Sequence, residues 1–246
     1  MASYALDEGS GTTATDASGH GLNGTLTNGA TWGTGRYGSA VALDGIDDLV
    51  KLGNPSGLQL TGSMTISAWI NSAAFPPDDA AVVSKRGLNG YQLDTTIDTG
   101  PRVIGFKLTN SSGANMMRYG ATAMQLNAWY HIAGVYNATA RTMDVYLNGQ
   151  LDNDQLVGTV TASQQNSSQN VNVGQRPGGG NFAFNGRIDD VRIYSRALTA
   201  AQVQADMNTP LGSGSSSDPN PPTVTITGPA NNAQVTDIVT IAANAS

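Results

Sequence analysis

Residues 127–151, NAWYHIAGVYNATARTMDVYLNGQL, decide the fold class. Trp129, His131, Ala133 and Val135 alternate with Tyr130, Ile132, Gly134 and Tyr136, so both faces of a period-two run carry apolar or aromatic groups. A strand covered on both sides, in the middle of a sandwich, needs that pattern. After the polar break at Asn137–Arg141, a second run, Met143–Leu147, leads into Asn148-Gly149. This pair tolerates the positive φ that both central residues of a tight hairpin turn require.

The same short period recurs outward in both directions. Ala40–Leu43, Leu49–Leu52, Met64–Ile70, Ala81–Ser84, Tyr91–Ile97, Val103–Asn110, Asn170–Val173 and Ile188–Tyr194 all read as strands, separated by Gly, Asn, Asp and Pro. So many strands exceed one flat sheet, and the pattern predicts an all-β, two-sheet antiparallel jelly-roll sandwich. One short helix is expected near the end of this region, at Ala200–Met207. Thr199 is its N-cap, Gln202 completes a capping box, and Asn208-Thr209-Pro210 stops it.

Composition agrees with strands. Charged residues make up 12% of the chain, about half the usual ~25%, the only lysines are Lys51, Lys85 and Lys107, and the only glutamate is Glu8. Long exposed helices need more Lys and Glu than that. A net charge of −6 and the absence of Lys/Arg clusters argue against a nucleic-acid partner. Without cysteine, thiolate metal sites and disulfides are excluded, and redox usage does not report the compartment. No stretch approaches the ~18 apolar residues of a membrane span, so no membrane insertion is expected. Met1-Ala2-Ser3 opens without the features of a secretion signal.

The chain divides into a domain over 1–210, a Gly/Ser/Pro linker over 211–222 and a remainder over 223–246. That remainder, PPTVTITGPANNAQVTDIVTIAANAS with its last linker residues, resembles the opening strands of bacterial immunoglobulin-like modules. Two strands do not make a stable sheet alone, so a longer multidomain parent is expected, with neighbouring domains in the same chain. A disordered tail is the alternative.

Five segments, in order, are similar to the laminin-G-like jelly-roll domains of the concanavalin A-like lectin and glucanase superfamily. They are VALDGIDDLVKLG (41–53), GSMTISAWI (62–70), VVSKRGLNGYQLDTT (82–96), the opening stretch 127–151, and VNVGQRPGGGNFAFNGRIDDVRIYSRALTAAQV (171–203). The resemblance implies a monomeric, non-catalytic accessory module of a secreted bacterial protein, extracellular or on the cell surface. It also implies that the module binds a polysaccharide or other glycan and holds a structural Ca²⁺. An adhesion or spacer domain, with a protein partner or no ligand, fits the same resemblance.

The parity of Ile188–Tyr194 puts Val191 and Ile193 inward and assigns Asp189 to their side, with Arg187 and Arg192 facing away. An inward carboxylate is costly unless bonded or bound to a cation, and Ca²⁺ collects six to eight oxygens. The loop Asp16–Gly24 supplies further oxygens if the first strand, Tyr4–Leu6, pairs with the last. By position, the resemblance carries calcium to Asp16, Asn23, Asp44 and Asp189. The competing reading has Asp16 and Asn23 capping turns, Asp44-Gly45 forming a hairpin turn, and Asp189 bonded to backbone N–H groups. Asp47-Asp48 and Asp78-Asp79 read as solvated turns.

Catalysis is not expected. The glucanases of the superfamily use clustered glutamates, and glycoside hydrolysis needs two placed carboxyls, whereas this chain has a single glutamate. Sugar recognition asks instead for aromatic platforms and planar amide, carboxylate or guanidinium groups. Gln92, Asp94 and Lys107 share one strand parity, and Tyr146 on a third strand and His131 are expected to join them, with Arg118 at the rim. Tyr91, Tyr119, Arg86, Arg102, Arg176 and Phe182 are further rim candidates. Trp69 reads as core and Trp32 as either an exposed aromatic or one packed under the N-terminal loop.

Overall fold

The computed structural model describes residues 1–212 and the backbone of two short paired strands, Thr225–Ile226 and Ala243–Asn244. The chain separates into Met1–Gly212 and Ser213–Ser246, and the expected linker from 213 onward and the rest of the segment expected to be immunoglobulin-like lie outside the described residues.

Met1–Gly212 is an all-β, jelly-roll-like sandwich of two antiparallel sheets. In the eight-stranded sheet the order is Gln150–Leu151, Thr142–Leu147, Trp129–Asn137, Met64–Ala74, Asn185–Tyr194, Ser39–Asp44 and Thr31–Thr34, with Ala2–Tyr4 also on Asn185–Tyr194. The nine-stranded sheet runs Asn153–Val157, Asn115–Gly120, Val103–Thr109, Tyr91–Thr96, Ala80–Ser84, Val171–Val173, Leu49–Gly53, Gly24–Thr27 and Thr13–Ala14. Asn115–Gly120, read NMMRYG, lacks the β-branched alternation that marks the other strands, and pairing with Val103–Thr109 imposes its conformation.

Ile66, Ile70, Ile132, Tyr136 and Val145 from one sheet meet Tyr91, Leu93, Ile104, Phe106 and Leu108 from the other in a single core. Each such side chain contributes about 1.5–3 kcal/mol by leaving water. Gly134 has a packing reason for its missing side chain, because a Cβ there would overlap the ring of Phe106.

A second, smaller apolar cluster lies on the other side of the eight-stranded sheet. The helix Ala200–Asn208 covers Ala133, Val135 and Tyr146 with Val203 and Leu198, which is why Trp129–Asn137 is apolar on both faces. The capping box is complete: the Gln202 amide donates to Thr199 Oγ1 at 3.3 Å and the Thr199 amide donates to Gln202 Oε1 at 3.0 Å. Asn148 and Gly149 close their hairpin at φ 50 and 74, as the dipeptide requires.

A bulge overturns the parity expected of the last long strand. Register shifts between Asp189 and Arg192, and Asp190 sits at φ 49, so Ile188 and Val191 both enter the core although they are three positions apart and would face opposite sides of a regular strand. Asp189 therefore pairs with Trp69 on the outer face of the eight-stranded sheet, not inward beside Val191. Arg187 and Arg192 lie on that outer face as expected, and Asp189 joins them there instead of facing away from them. Arg192 stands 3.8 Å from Asp190 and donates to the carbonyls of Asp206 and Thr209.

Candidate functional site

On the outer face of the nine-stranded sheet, two neighbouring strands, Tyr91–Thr96 and Val103–Thr109, bring Gln92, Asp94 and Lys107 together, as their parity predicts. Lys107 Nζ lies 2.7 Å from Asp79, 2.7 Å from Asp98 and 3.5 Å from Asp94. Gln92 donates to Asp94 at 2.5 Å and accepts from Ser84 Oγ at 2.9 Å. Tyr119 donates its hydroxyl to Asp98 at 2.9 Å, and Arg86 reaches across the sheet to donate to Asn115 Oδ1 at 2.6 Å.

This floor is dry, and its protonation reflects that. Burial, reinforced by Asp79, lifts the Asp94 carboxyl to about 7 against the pull of Lys107. Burial also disfavours the Lys107 ammonium, but Asp94 and Asp79 outweigh it and hold that group above the ordinary lysine range. Hydrogen-bonding capacity is left over: Asp79 Oδ1, Asp94 Oδ1, Arg86 Nη1 and Thr109 Oγ1 are buried without a partner among the described residues. At the side of the floor, Arg176 stacks on Phe182 at 4.6 Å and donates to the carbonyls of Arg86 and Gly87.

The other expected ligand residues sit elsewhere. His131 and Tyr146 belong to the outer face of the eight-stranded sheet, Tyr146 under the helix and His131 against Trp69 with ring centroids 5.5 Å apart. Burial, with Arg192 adding to it, lowers His131 to about 3, so its ring is neutral. Arg118 lies opposite the core residue Phe106 and donates to the carbonyls of Met143 and Asp154, bracing the edge between the sheets. Tyr91 is a core residue whose hydroxyl donates to Leu58 O. Trp69 is buried but outside the main core, beneath the Arg36 guanidinium at 4.7 Å, and Trp32 donates to Gly11 O of the N-terminal loop.

The four expected metal ligands fall into three separate settings. Asp16 organises its own loop by accepting from the amides of Ser3, Ser18 and Leu22, and Asn23 Oδ1 accepts from the Asp16 amide. Burial works against the Asp16 carboxylate, but these donors hold it down at about 2. Asp189 Oδ2 accepts from the amides of Arg36 and Tyr37 at 2.8 and 3.0 Å. Asp44 closes a turn with Asp47 and Asp48, whose carboxylate oxygens come within 4.8 Å of one another.

Asp48 departs from the solvated turn expected of it. It is 5% exposed, its Oδ2 accepts from the Asp44 amide at 2.9 Å, and its Oδ1 has no partner. A Cβ at Gly29 would come within 2.9 Å of that free oxygen. A cavity of about 350 Å³ opens there, lined by Asn28, Thr31, Asp44 and Asp48 among others.

The sequence did hold a sign of the missed residues. A single lysine in a strand as buried as Val103–Thr109 demands counter-charges, and Asp79, directly before the apolar run Ala80–Val83, enters the sheet with that strand.

The sequence model of the concanavalin A-like lectin/glucanases superfamily, of the laminin G type, matches residues 44–204. The adhesion G-protein coupled receptor V1 of Danio rerio is 24% identical over 157 residues, which are 62% of this chain and 2% of that receptor. Among solved structures, the binding domain of Paraclostridial Mosquitocidal Protein 1 superposes with a TM-score of 0.66 at 16% identity, covering 84% of this chain and 51% of that one. Domain 4 of AbnA, a GH43 extracellular arabinanase from Geobacillus stearothermophilus solved in complex with arabinotriose, gives 0.62 at 20% identity and covers 84% of this chain and 97% of that one. At these identities the superpositions establish the shared fold.

Proposed function

Because the chain belongs to the concanavalin A-like lectin/glucanases superfamily, we propose that it is a non-catalytic, monomeric accessory module of a secreted bacterial multidomain protein, and that it binds polysaccharide or glycan on the outer face of its nine-stranded sheet. The observation that carries the reading is the polar floor around Lys107. Its charges are fixed by one another, while Asp79 Oδ1, Asp94 Oδ1, Arg86 Nη1 and Thr109 Oγ1 keep unused capacity beside the Arg176–Phe182 stack. A ligand made of hydroxyl groups, which both donate and accept, suits that mixture of donors and acceptors. The arabinotriose held by the arabinanase domain supports the reading by analogy of fold. A role outside catalysis is supported by Glu8, the sole glutamate, which accepts from the Thr15 amide in the N-terminal turn.

A structural Ca²⁺ fits this chain at Asp44, Asp47 and Asp48. The cluster alone is a common surface feature, but the buried free oxygen of Asp48, with Gly29 leaving room beside it, matches a hard cation that collects oxygens. When bound, the ion supplies the positive charge this turn lacks. The three aspartates tie the end of the Ser39–Asp44 strand to the Leu49–Gly53 strand of the other sheet.

The test is affinity electrophoresis through immobilised polysaccharides together with a glycan array, using the chain as it stands and Arg176→Ala and Tyr119→Phe variants. Retardation that weakens in both variants supports the reading. Silence across the array overturns it and favours an adhesion or spacer role, which the similarity to an adhesion receptor also allows.

A further inference from the structure

An opening that the proposed function leaves unused is on the opposite sheet. A cavity of about 440 Å³ lies on the outer face of the eight-stranded sheet. That is within the roughly 300–1,000 Å³ usual for small-ligand sites. Its walls are the side chains of Asn71, Asn127, Asn185 and Arg187, and its floor is small, with Ala42, Ala73 and Gly186. Gly186 is required, since a Cβ there would run into the Asn71 carbonyl.

The placement follows from register. Trp129 pairs with Asn71, Asn71 with Arg187, and Arg187 with Ala42, so these side chains form one row across adjacent strands on one face. Directly opposed side chains in such a row have Cβ atoms about 4.5–5.5 Å apart. Trp129 is half-buried and belongs to neither hydrophobic cluster. Among the described residues the side-chain amides of Asn71 and Asn127 have no hydrogen-bond partner, and the Arg187 guanidinium donates only to the Thr34 carbonyl, at 3.2 Å. Asn127 is held at φ 59 by a turn whose amide donates to Ser72 O, which points its exposed side chain along the wall.

We propose that this hollow is a second carbohydrate subsite, taking one sugar ring of a polysaccharide chain. Trp129 stands in the row beside Asn71, just outside the residues that line the hollow, and an indole next to planar amides and one guanidinium is the chemistry that packs on the C–H face of a ring and pairs with its neighbouring hydroxyls. Asn185 Nδ2 is committed at 2.6 Å to the carbonyl of Asp44, which leaves Asn71, Asn127 and Arg187 to meet the hydroxyls of the ring. The inference rests on the reading of the chain as a glycan binder. Two sites on opposite sheets would let one domain bridge two chains or hold one chain twice, raising avidity without tighter single contacts.

The experiment is a titration followed by amide NMR on the intact chain, with arabinotriose, cellotriose and mannotriose as separate probes at millimolar concentration. The side-chain amide signals of Asn71 and Asn127 should move with at least one probe, and Trp129→Ala should weaken that response by about tenfold or more. Asn127→Gly, which keeps the left-handed backbone, should weaken it too and guards against a Trp129→Ala variant that fails to fold. If the Asn71 and Asn127 signals stay still while binding is lost in Arg176→Ala, the second subsite is wrong and the glycan reading stands. If no probe moves any signal on either sheet and the array is silent, both are wrong.

Discussion

Replacing Asp189 by asparagine should make the protein more stable at pH 8 and leave it nearly unchanged at pH 4. Burial is the main reason that the Asp189 carboxyl is pushed up from 3.8 to about 7, with Asp190 adding to it and the amides of Tyr37 and Arg36 opposing. A folded-state value above the unfolded one means that the native protein holds this proton more tightly, so the stability it lends is complete below about pH 4 and is lost as pH rises through about 7. At about 1.36 kcal/mol for each pH unit between the two values, the cost of ionising Asp189 in the fold is on the order of 4 kcal/mol. For a domain of this size that is roughly 8 to 16 °C in midpoint. The amide escapes the cost: its oxygen still accepts from Arg36 and Tyr37, and its NH₂ takes the place of Oδ1, which has no partner in the native protein. Scanning calorimetry of both proteins from pH 4 to 8 reads the difference, and Asp94, which also titrates near 7, is present in both and cancels. A difference that stays flat with pH, or a variant less stable at pH 8, would refute the burial argument.

Three further outcomes are expected. Gly134→Ala drives a methyl group into the Phe106 ring and should cost about 1–3 kcal/mol in denaturant unfolding, with an unchanged m-value. Lys107→Met leaves Asp79, Asp94 and Asp98 without their shared cation and should cost about 3–5 kcal/mol at neutral pH, a loss that shrinks on acidification as the carboxyls protonate. Excess calcium at a hundredfold over Kd should stabilise the domain by about 2.7 kcal/mol, magnesium should not replace it, and Asp48→Asn should erase the response; equal melting of chelated and calcium-loaded protein, with metal removal verified by elemental analysis, removes the site.

The fold was legible because its signals are local and repeated. Alternation in Met64–Ile70 and Trp129–Tyr136, the Asn148-Gly149 turn and the Thr199–Gln202 capping box each specify their own segment, and each is found, the two strands running on to Ala74 and Asn137. The site was legible only in part, because parity places a residue on a face without saying which sheet, and that is a long-range fact. Gln92, Asp94 and Lys107 were grouped correctly because their strands are neighbours in sequence as well as in the sheet. Tyr146 and His131 shared the parity but not the sheet, and a helix 50 residues later covers one of them. Asp189 failed for a different reason. Parity is an argument from regularity, and one bulged residue, Asp190 at φ 49, reverses it for everything upstream. The dipeptide Asp189-Asp190 held the warning, since adjacent residues of a regular strand face opposite sides and one of the two carboxylates would enter the core, whereas a positive-φ aspartate lets the strand keep both among polar groups. The same bulge puts Asp189 on the outer face beside Trp69, two positions from Arg187, which stands in the row with Asn71 and Trp129 around the second hollow.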